Sequence, residues 1–251
     1  MPFTLNDFFT NGLIGKYFFE NGGTTATVLM VVGICFVVIC SYLLGSINFA
    51  IIISSRTYKQ DIRDFGSKNA GMTNMMRTYG KKAAGLTLLG DALKAAVACL
   101  IGYLIVGQLG AEIAGLCCIL GHVFPIFYHF KGGKGVVTAA VAVLMCHPFV
   151  FPILFLLFVI IVLCTKYISL GSVMCMLLYP LTIHGMTSLA TRIGMGEEAT
   201  YPFIIFPMLM TVVIVCKHWT NIKRLMNGTE SKFSFKKSVK TSEEKAEEGE
   251  Q

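Results

Sequence analysis

Three stretches of this chain set basic side chains, amides, hydroxyls and glycines side by side in patterns suited to holding phosphate. The first runs Asp61-Ile62-Arg63-Asp64-Phe65-Gly66-Ser67-Lys68-Asn69-Ala70-Gly71-Met72-Thr73-Asn74 and on to Arg77. Gly66 and Gly71 permit tight turns and a close backbone approach to a ligand. Ser67, Asn69, Thr73 and Asn74 supply hydrogen bonds, and Arg77 can grip a phosphate through two parallel N–H groups. The same composition also suits a solvated basic connector, and the residues alone leave both readings open.

The second stretch is His122-Val123-Phe124-Pro125 followed by Phe130-Lys131-Gly132-Gly133-Lys134-Gly135. It is not a P-loop, because Gly135 stands where that motif needs a hydroxyl after the lysine. The physics is related. Backbone N–H groups of a glycine-rich turn that feeds a helix form an anion cradle, helped by the helix dipole. The third stretch is Lys217-His218-Trp219-Thr220-Asn221-Ile222-Lys223-Arg224-Leu225, then Gly228-Thr229-Glu230. His218 and Asn221 are three apart and share a helix face, so His218 can serve as base or hydrogen-bond donor. An anchor at the lipid headgroups, with Trp219 and the lysines at the interface, accounts for the stretch equally well.

Other candidates fall away. The nine cysteines sit in apolar runs with no C-x-x-C and no Cys/His spacing suited to zinc. None of the five histidines is followed by Asp five residues on, and there is no G-x-S-x-G. Both absences argue against the acyl-transfer and hydrolase chemistries that depend on those patterns. His147 and His184 read as structural.

The elements that must position these stretches are membrane helices. Of the 251 residues, 55% are hydrophobic and 14% charged, against about 25% charged in a soluble domain. A crossing helix needs about 20 apolar residues. Candidates cover 27–55, 83–107, 110–130, 135–147, 149–165, 167–190 and 201–217. The expected fold is all-α and polytopic, with seven transmembrane helices and the motif loops on the cytoplasmic side. The fourth span is short. At about 1.5 Å per residue it reaches only about 20 Å, so the Lys131–Gly135 loop is expected to dip below the membrane surface beside the first stretch. In the second span, Asp91 and Lys94 lie at i, i+3. Charges at that depth face the bundle, either bracing a polar site or holding helices together.

Orientation follows from charge. If the N-terminus is outside and the C-terminus cytoplasmic, the inner side holds seven basic residues in 56–82, two in 131–134, Lys166 and eight from Lys217 onward. The outer side holds only Lys16 and Arg192. That asymmetry follows the positive-inside rule. Residues 1–28 read as an extension with a weak interfacial helix over 3–19, where Gly12 and Gly15 count against helix. Residues 29–232 form the membrane domain. The chain turns polar after 227, and 233–251 read as a disordered charged tail.

In order and spacing, the motifs resemble those of the bacterial membrane acyltransferases that move an acyl chain from acyl phosphate to glycerol 3-phosphate. The resemblance rests on Ser41 to Ile47, the Asp61–Arg77 stretch, Asp91 with Lys94, Gly121 through Pro125 with Lys131–Gly135, Tyr167 to Leu170, and His218 through Glu230. It implies lysophosphatidic acid and phosphate as products, as in the first step of phospholipid synthesis, with no cofactor, metal or nucleic acid. It implies a multi-pass enzyme of the bacterial inner membrane whose partners are its two substrates and membrane lipid. It puts Ser67, Arg77, Lys134, His218 and Asn221 where the family binds glycerol 3-phosphate. Lys131, Gly132, Gly133, Lys134 and Gly135 fall where the donor phosphate is held. Asn69, Thr73 and Asn74 complete the first motif, and Asp91, Lys94 and His122 support it. The attacking proton goes to His218 or to a substrate phosphate oxygen, and the resemblance favours the second route. Lys68 departs from the family, standing where glycine is usual. The rival reading is an organic-anion transporter, which would explain a broken helix and a basic pocket but not why every motif falls on one side.

Overall fold

The computed structural model describes residues 12–193 and 201–234. Most of the interfacial stretch expected over 3–19, and the tail beyond 234, lie outside the described residues. The regular elements among the described residues are all helices: α1 (Leu13–Asn21), α2 (Gly23–Ser46), α3 (Phe49–Thr57), α4 (Met72–Tyr79), α5 (Lys81–Val106), α6 (Gln108–Val123), α7 (Val136–Cys146), α8 (Val150–Thr165), α9 (Ile168–Arg192), α10 (Tyr201–Lys217) and α11 (Trp219–Met226). Short 3₁₀ turns lie at Ile62–Asp64 and Ile126–Tyr128.

Four segments are long and apolar enough to cross a membrane: Gly23–Thr57, Lys81–Val106, Gln108–Tyr128 and Ile168–Leu189. Ile204–Lys217 and Trp219–Met226, bent by 59°, make a fifth if taken together. The remaining two apolar helices, α7 and α8, have 11 and 16 residues, short of the full crossing length the expected seven spans would need. The outer surface is apolar, with Leu156, Leu163 and Leu181 more than half exposed. Polar groups such as Asp91, Lys94 and Glu112 are buried inside. That inverted arrangement is what a hydrocarbon surrounding selects.

Close helix crossings rest on glycine. A Cβ on Gly45 of α2 would collide with the Cys118 carbonyl of α6, and one on Gly121 of α6 would strike the Tyr42 carbonyl of α2. Gly102 and Gly110 press against each other across α5 and α6 in the same way. With no difference in polarity between lipid tails and leucine to drive helices together, contact depends on backbones approaching this closely. Gly12 and Gly15, which counted against helix in the sequence, work similarly. They let α1 lie directly on the Ile105–Gly107 backbone at the end of α5.

The break between α2 and α3 matters most for the site. Asn48 caps α3, its side-chain oxygen accepting from Ile51 N–H at 3.1 Å, and its amide donates to the Ala70 carbonyl at 3.4 Å. One buried side chain thus starts a helix and ties it to the first motif.

Candidate active site

The first motif is folded around Asn74. Its side-chain oxygen accepts from Ser67 N–H at 2.9 Å, and its amide donates to the carbonyls of Ile62 and Phe65 at 3.2 and 2.9 Å. Asn74 is buried, so the amide expected among the substrate contacts instead shapes the loop that presents them. Gly66, at φ 56°, lies so close that a Cβ would strike the Asn74 oxygen. Lys68 takes the left-handed conformation too, at φ 56°, keeping the backbone shape that glycine adopts at no steric cost. Ser67 is exposed and Asn69, Thr73 and Arg77 are half-buried.

The second motif meets the first directly. Gly133 donates its N–H to the His122 carbonyl at 3.1 Å, and a Cβ there would overlap the His122 ring nitrogen Nε2 and press on the Ala70 carbonyl. Gly132 packs as closely on the His122 carbonyl and Pro125. Gly135, at φ 77°, turns the chain into α7. Among the described residues, the N–H groups of Gly132, Lys134 and Gly135 have no protein acceptor, which leaves them as donors for an anion. The expected contact between this loop and the first stretch is present.

Behind it lies the Asp91–Lys94–His122 group. The Lys94 ammonium is 2.9 Å from Asp91 and 3.0 Å from His122 Nδ1, and it donates to the carbonyls of Gly45 and Ile47 at 3.0 and 2.6 Å. The group therefore holds the α2–α3 break and, through His122, the glycine loop.

The third motif closes the site from α11. His218 Nδ1 donates to the Ile214 carbonyl at 2.8 Å, leaving Nε2 as the acceptor. Asn221 bridges two charged partners: its oxygen accepts from the Lys134 ammonium, and its amide donates to Glu230 at 2.6 Å. Glu230 also accepts from Ser169 Oγ at 2.7 Å and from Arg224 Nε at 2.7 Å. Phe233 N–H donates to the Lys166 carbonyl at 2.7 Å, and Arg77 Nη2 to the Ser231 carbonyl at 3.4 Å. Residues 228–234 are therefore held across the site.

Burial pushes the Glu230 carboxyl up, yet the hydrogen bonds from Asn221, Ser169 and Arg224 prevail and hold it below the usual carboxylate range. Burial likewise lowers the Arg77 guanidinium, with Glu230 opposing and Arg224 reinforcing the shift. Arg77, Lys134 and Arg224 thus cluster around one carboxylate. The cluster carries excess positive charge in a half-buried place, and a phosphate dianion would balance it.

Glu230 and Arg63 are the site residues sequence reasoning missed. Glu230 stood in the third motif but carried no assigned role. The Arg63 guanidinium grips Asp61 at 2.6 Å and reaches the Tyr128 and Lys131 carbonyls at 3.2 and 3.1 Å. No spacing signal reveals a contact across more than sixty residues.

Fold and site together define a multi-helix integral membrane protein whose three motif segments meet at one site rich in basic side chains. The profile of the family described as glycerol-3-phosphate acyltransferase matches residues 35–228, and the chain belongs to that family. Similar proteins include the glycerol-3-phosphate acyltransferase of Finegoldia magna, 40% identical over 196 residues, covering 78% of this chain and 93% of that protein. That of Syntrophomonas wolfei is 42% identical over 199 residues, covering 79% and 96%. Among solved structures, the integral membrane glycerol 3-phosphate acyltransferase PlsY (YgiH) in its glycerol 3-phosphate form superimposes with a TM-score of 0.68 at 33% identity, covering 80% of this chain and 96% of the other. Its lysophosphatidic acid form gives 0.67.

A pH dependence follows from Lys134. Burial lowers its ammonium to about 8, with Glu230 pulling it up and Arg224, Arg77 and Lys217 pushing it down. The charged form exists below that value and is lost above it. Phosphate binding that uses this charge is thus available at neutral pH and fades as pH rises past about 8. The kcat/KM profile, which reports the free enzyme, should show an alkaline limb there. Lys134→Arg should carry the limb out of range, because guanidinium does not titrate. A limb that stays in place in Lys134→Arg would assign it to another group.

Proposed function

We propose that the protein transfers an acyl group from acyl phosphate to the 1-hydroxyl of sn-glycerol 3-phosphate, releasing lysophosphatidic acid and phosphate. The observation that carries this reading is the convergence of three distant segments on one pocket. Arg77, Lys134 and Arg224 stand around Glu230, and beside them lies a glycine loop with N–H donors that find no acceptor among the described residues. Both substrates bear phosphate, so a site with two kinds of anion donor fits the pair. An acyl phosphate already has a good leaving group, and the enzyme needs mainly to position the reactants and neutralise charge.

In this scheme Arg77, Lys134 and Ser67 hold the glycerol 3-phosphate headgroup. Asn221, fixed by Glu230, sets the Lys134 ammonium in place. The amides of Gly132, Lys134 and Gly135, with Lys131 at the mouth, hold the donor phosphate as it departs. His218 presents Nε2 as an acceptor toward a glycerol hydroxyl. The attacking proton passes to a substrate phosphate oxygen.

We read the four long spans, the bent pair and the two short apolar helices as seven crossings of a bacterial inner membrane. The N-terminus is outside and the pocket cytoplasmic, as the basic residues favour. Purified protein supplied with acyl phosphate and glycerol 3-phosphate should form lysophosphatidic acid and free phosphate without coenzyme A. Transfer from acyl-coenzyme A alone, or uptake of glycerol 3-phosphate into proteoliposomes without acylation, would overturn the assignment.

A further inference from the structure

Arg63 lies outside every motif position that the proposed reaction uses, yet its contacts join the two phosphate-binding loops. Its guanidinium is fixed on one side by the Asp61 carboxylate, which accepts from Nε at 3.0 Å and from Nη2 at 2.6 Å. Asp61 also accepts from Arg63 N–H at 2.9 Å, so the side chain is held from both ends of its own turn. The remaining terminal nitrogen, Nη1, donates to the Tyr128 carbonyl and the Lys131 carbonyl at 3.2 and 3.1 Å. A planar guanidinium fork suits this task. One face of donors takes a carboxylate while the far nitrogen is aimed elsewhere, an arrangement an ammonium cannot reproduce.

The Lys131 carbonyl belongs to the same peptide unit as the Gly132 N–H. In a planar trans peptide these two groups point in opposite directions. Holding the carbonyl against Arg63 therefore turns the Gly132 N–H away from Arg63, and that N–H finds no protein acceptor among the described residues. The next amide, Gly133 N–H, is taken by the His122 carbonyl. Two contacts, one from each side, thus fix successive peptides of the loop: Arg63 through the Lys131 carbonyl and His122 through the Gly133 amide. Glycine has the widest backbone freedom of any residue, so without such restraints the pair Gly132–Gly133 would sample many orientations.

We propose that Arg63 is a positioning residue for the donor phosphate: by clasping the Tyr128 and Lys131 carbonyls it aims the Gly132 amide at the phosphate of the acyl donor. The role rests on the proposed reaction. It is specific to one of the two substrates, because Arg63 touches neither Ser67, Arg77 nor Lys134 by hydrogen bond, and those residues are read as holding glycerol 3-phosphate.

The test is steady-state kinetics on the purified full chain with each substrate varied in turn, for wild type, Arg63→Lys and Asp61→Asn, with thermal midpoints recorded alongside. Loss of one charge-assisted contact to a loop carbonyl should raise the KM for acyl phosphate about tenfold in Arg63→Lys, since lysine keeps the charge but cannot serve both partners. The KM for glycerol 3-phosphate should change less than about twofold. Asp61→Asn keeps the guanidinium but loosens it, and should raise the same KM by a smaller factor. It also keeps the proposal testable should Arg63→Lys fold poorly. Inorganic phosphate, as a product inhibitor, should weaken in step with the donor. Equal changes in both KM values, or no change in either variant, would overturn the role. Wild-type turnover with acyl phosphate is the control. Its absence would remove the donor assignment itself, and this role with it, whereas turnover with an unchanged donor KM in both variants would remove only the positioning by Arg63.

Discussion

Replacing Lys134 with alanine should lower kcat/KM for acylation of glycerol 3-phosphate by about a hundred- to a thousandfold while leaving the thermal midpoint nearly unchanged. The ammonium donates to Asn221 in a half-buried site, where each charge counts for more than it does in water. Its removal takes from the pocket the cation best placed to meet a phosphate. The fold does not depend on it. Glu230 retains Ser169, Asn221 and Arg224 as partners, so the C-terminal segment stays fixed and no buried carboxylate is left bare. Lys134→Arg should keep more activity than Lys134→Ala, because it preserves the charge at similar reach. Parallel losses of activity and midpoint in Lys134→Ala would make this lysine structural and would empty the pocket of its central cation.

The second large effect falls on stability. Lys94→Met should lower the midpoint by on the order of 10 °C and spoil monodispersity in mild detergent. Lys94 is 5% exposed and Asp91 1% exposed. Without Lys94 the Asp91 carboxylate keeps only His122, at 3.5 Å, and the Gly45 and Ile47 carbonyls lose their donor. Breaking one side of a buried ion pair costs about 3–5 kcal/mol, and each kcal/mol moves the midpoint of a domain this size by about 2–4 °C. Replacing the whole pair is far milder than breaking it. The double variant Asp91→Leu/Lys94→Met should therefore recover much of the midpoint. It should not recover activity, since His122 would lose its partner and Gly133 packs against that ring. Recovery of both would show that the pair holds helices together and nothing more. A single variant as stable as wild type would show that the pair is not energetically closed.

The sequence by itself determined the class of protein, most of the helices and the three motifs. Those are properties of runs. Lipid selects apolar segments of a given length, as in Lys81–Val106 and Ile168–Leu189, and a glycine-rich basic turn such as Lys131–Gly135 is legible wherever it occurs. Partnership is not a property of runs. Asn74 looked like a ligand and is the peg of its own loop, because Gly66 brings the backbone within its reach. Asn221 reads as one of the glycerol 3-phosphate positions, and in the structure it bridges Lys134 and Glu230. Glu230 stands in the third motif with no role of its own, and Arg63 reads as one more basic residue on a connector. Each of these outcomes depends on helix crossings set elsewhere in the chain, at Gly45 against Cys118 and Gly121 against Tyr42. There the absence of a Cβ fixes how close two backbones come, and so which side chains, many residues apart, can touch.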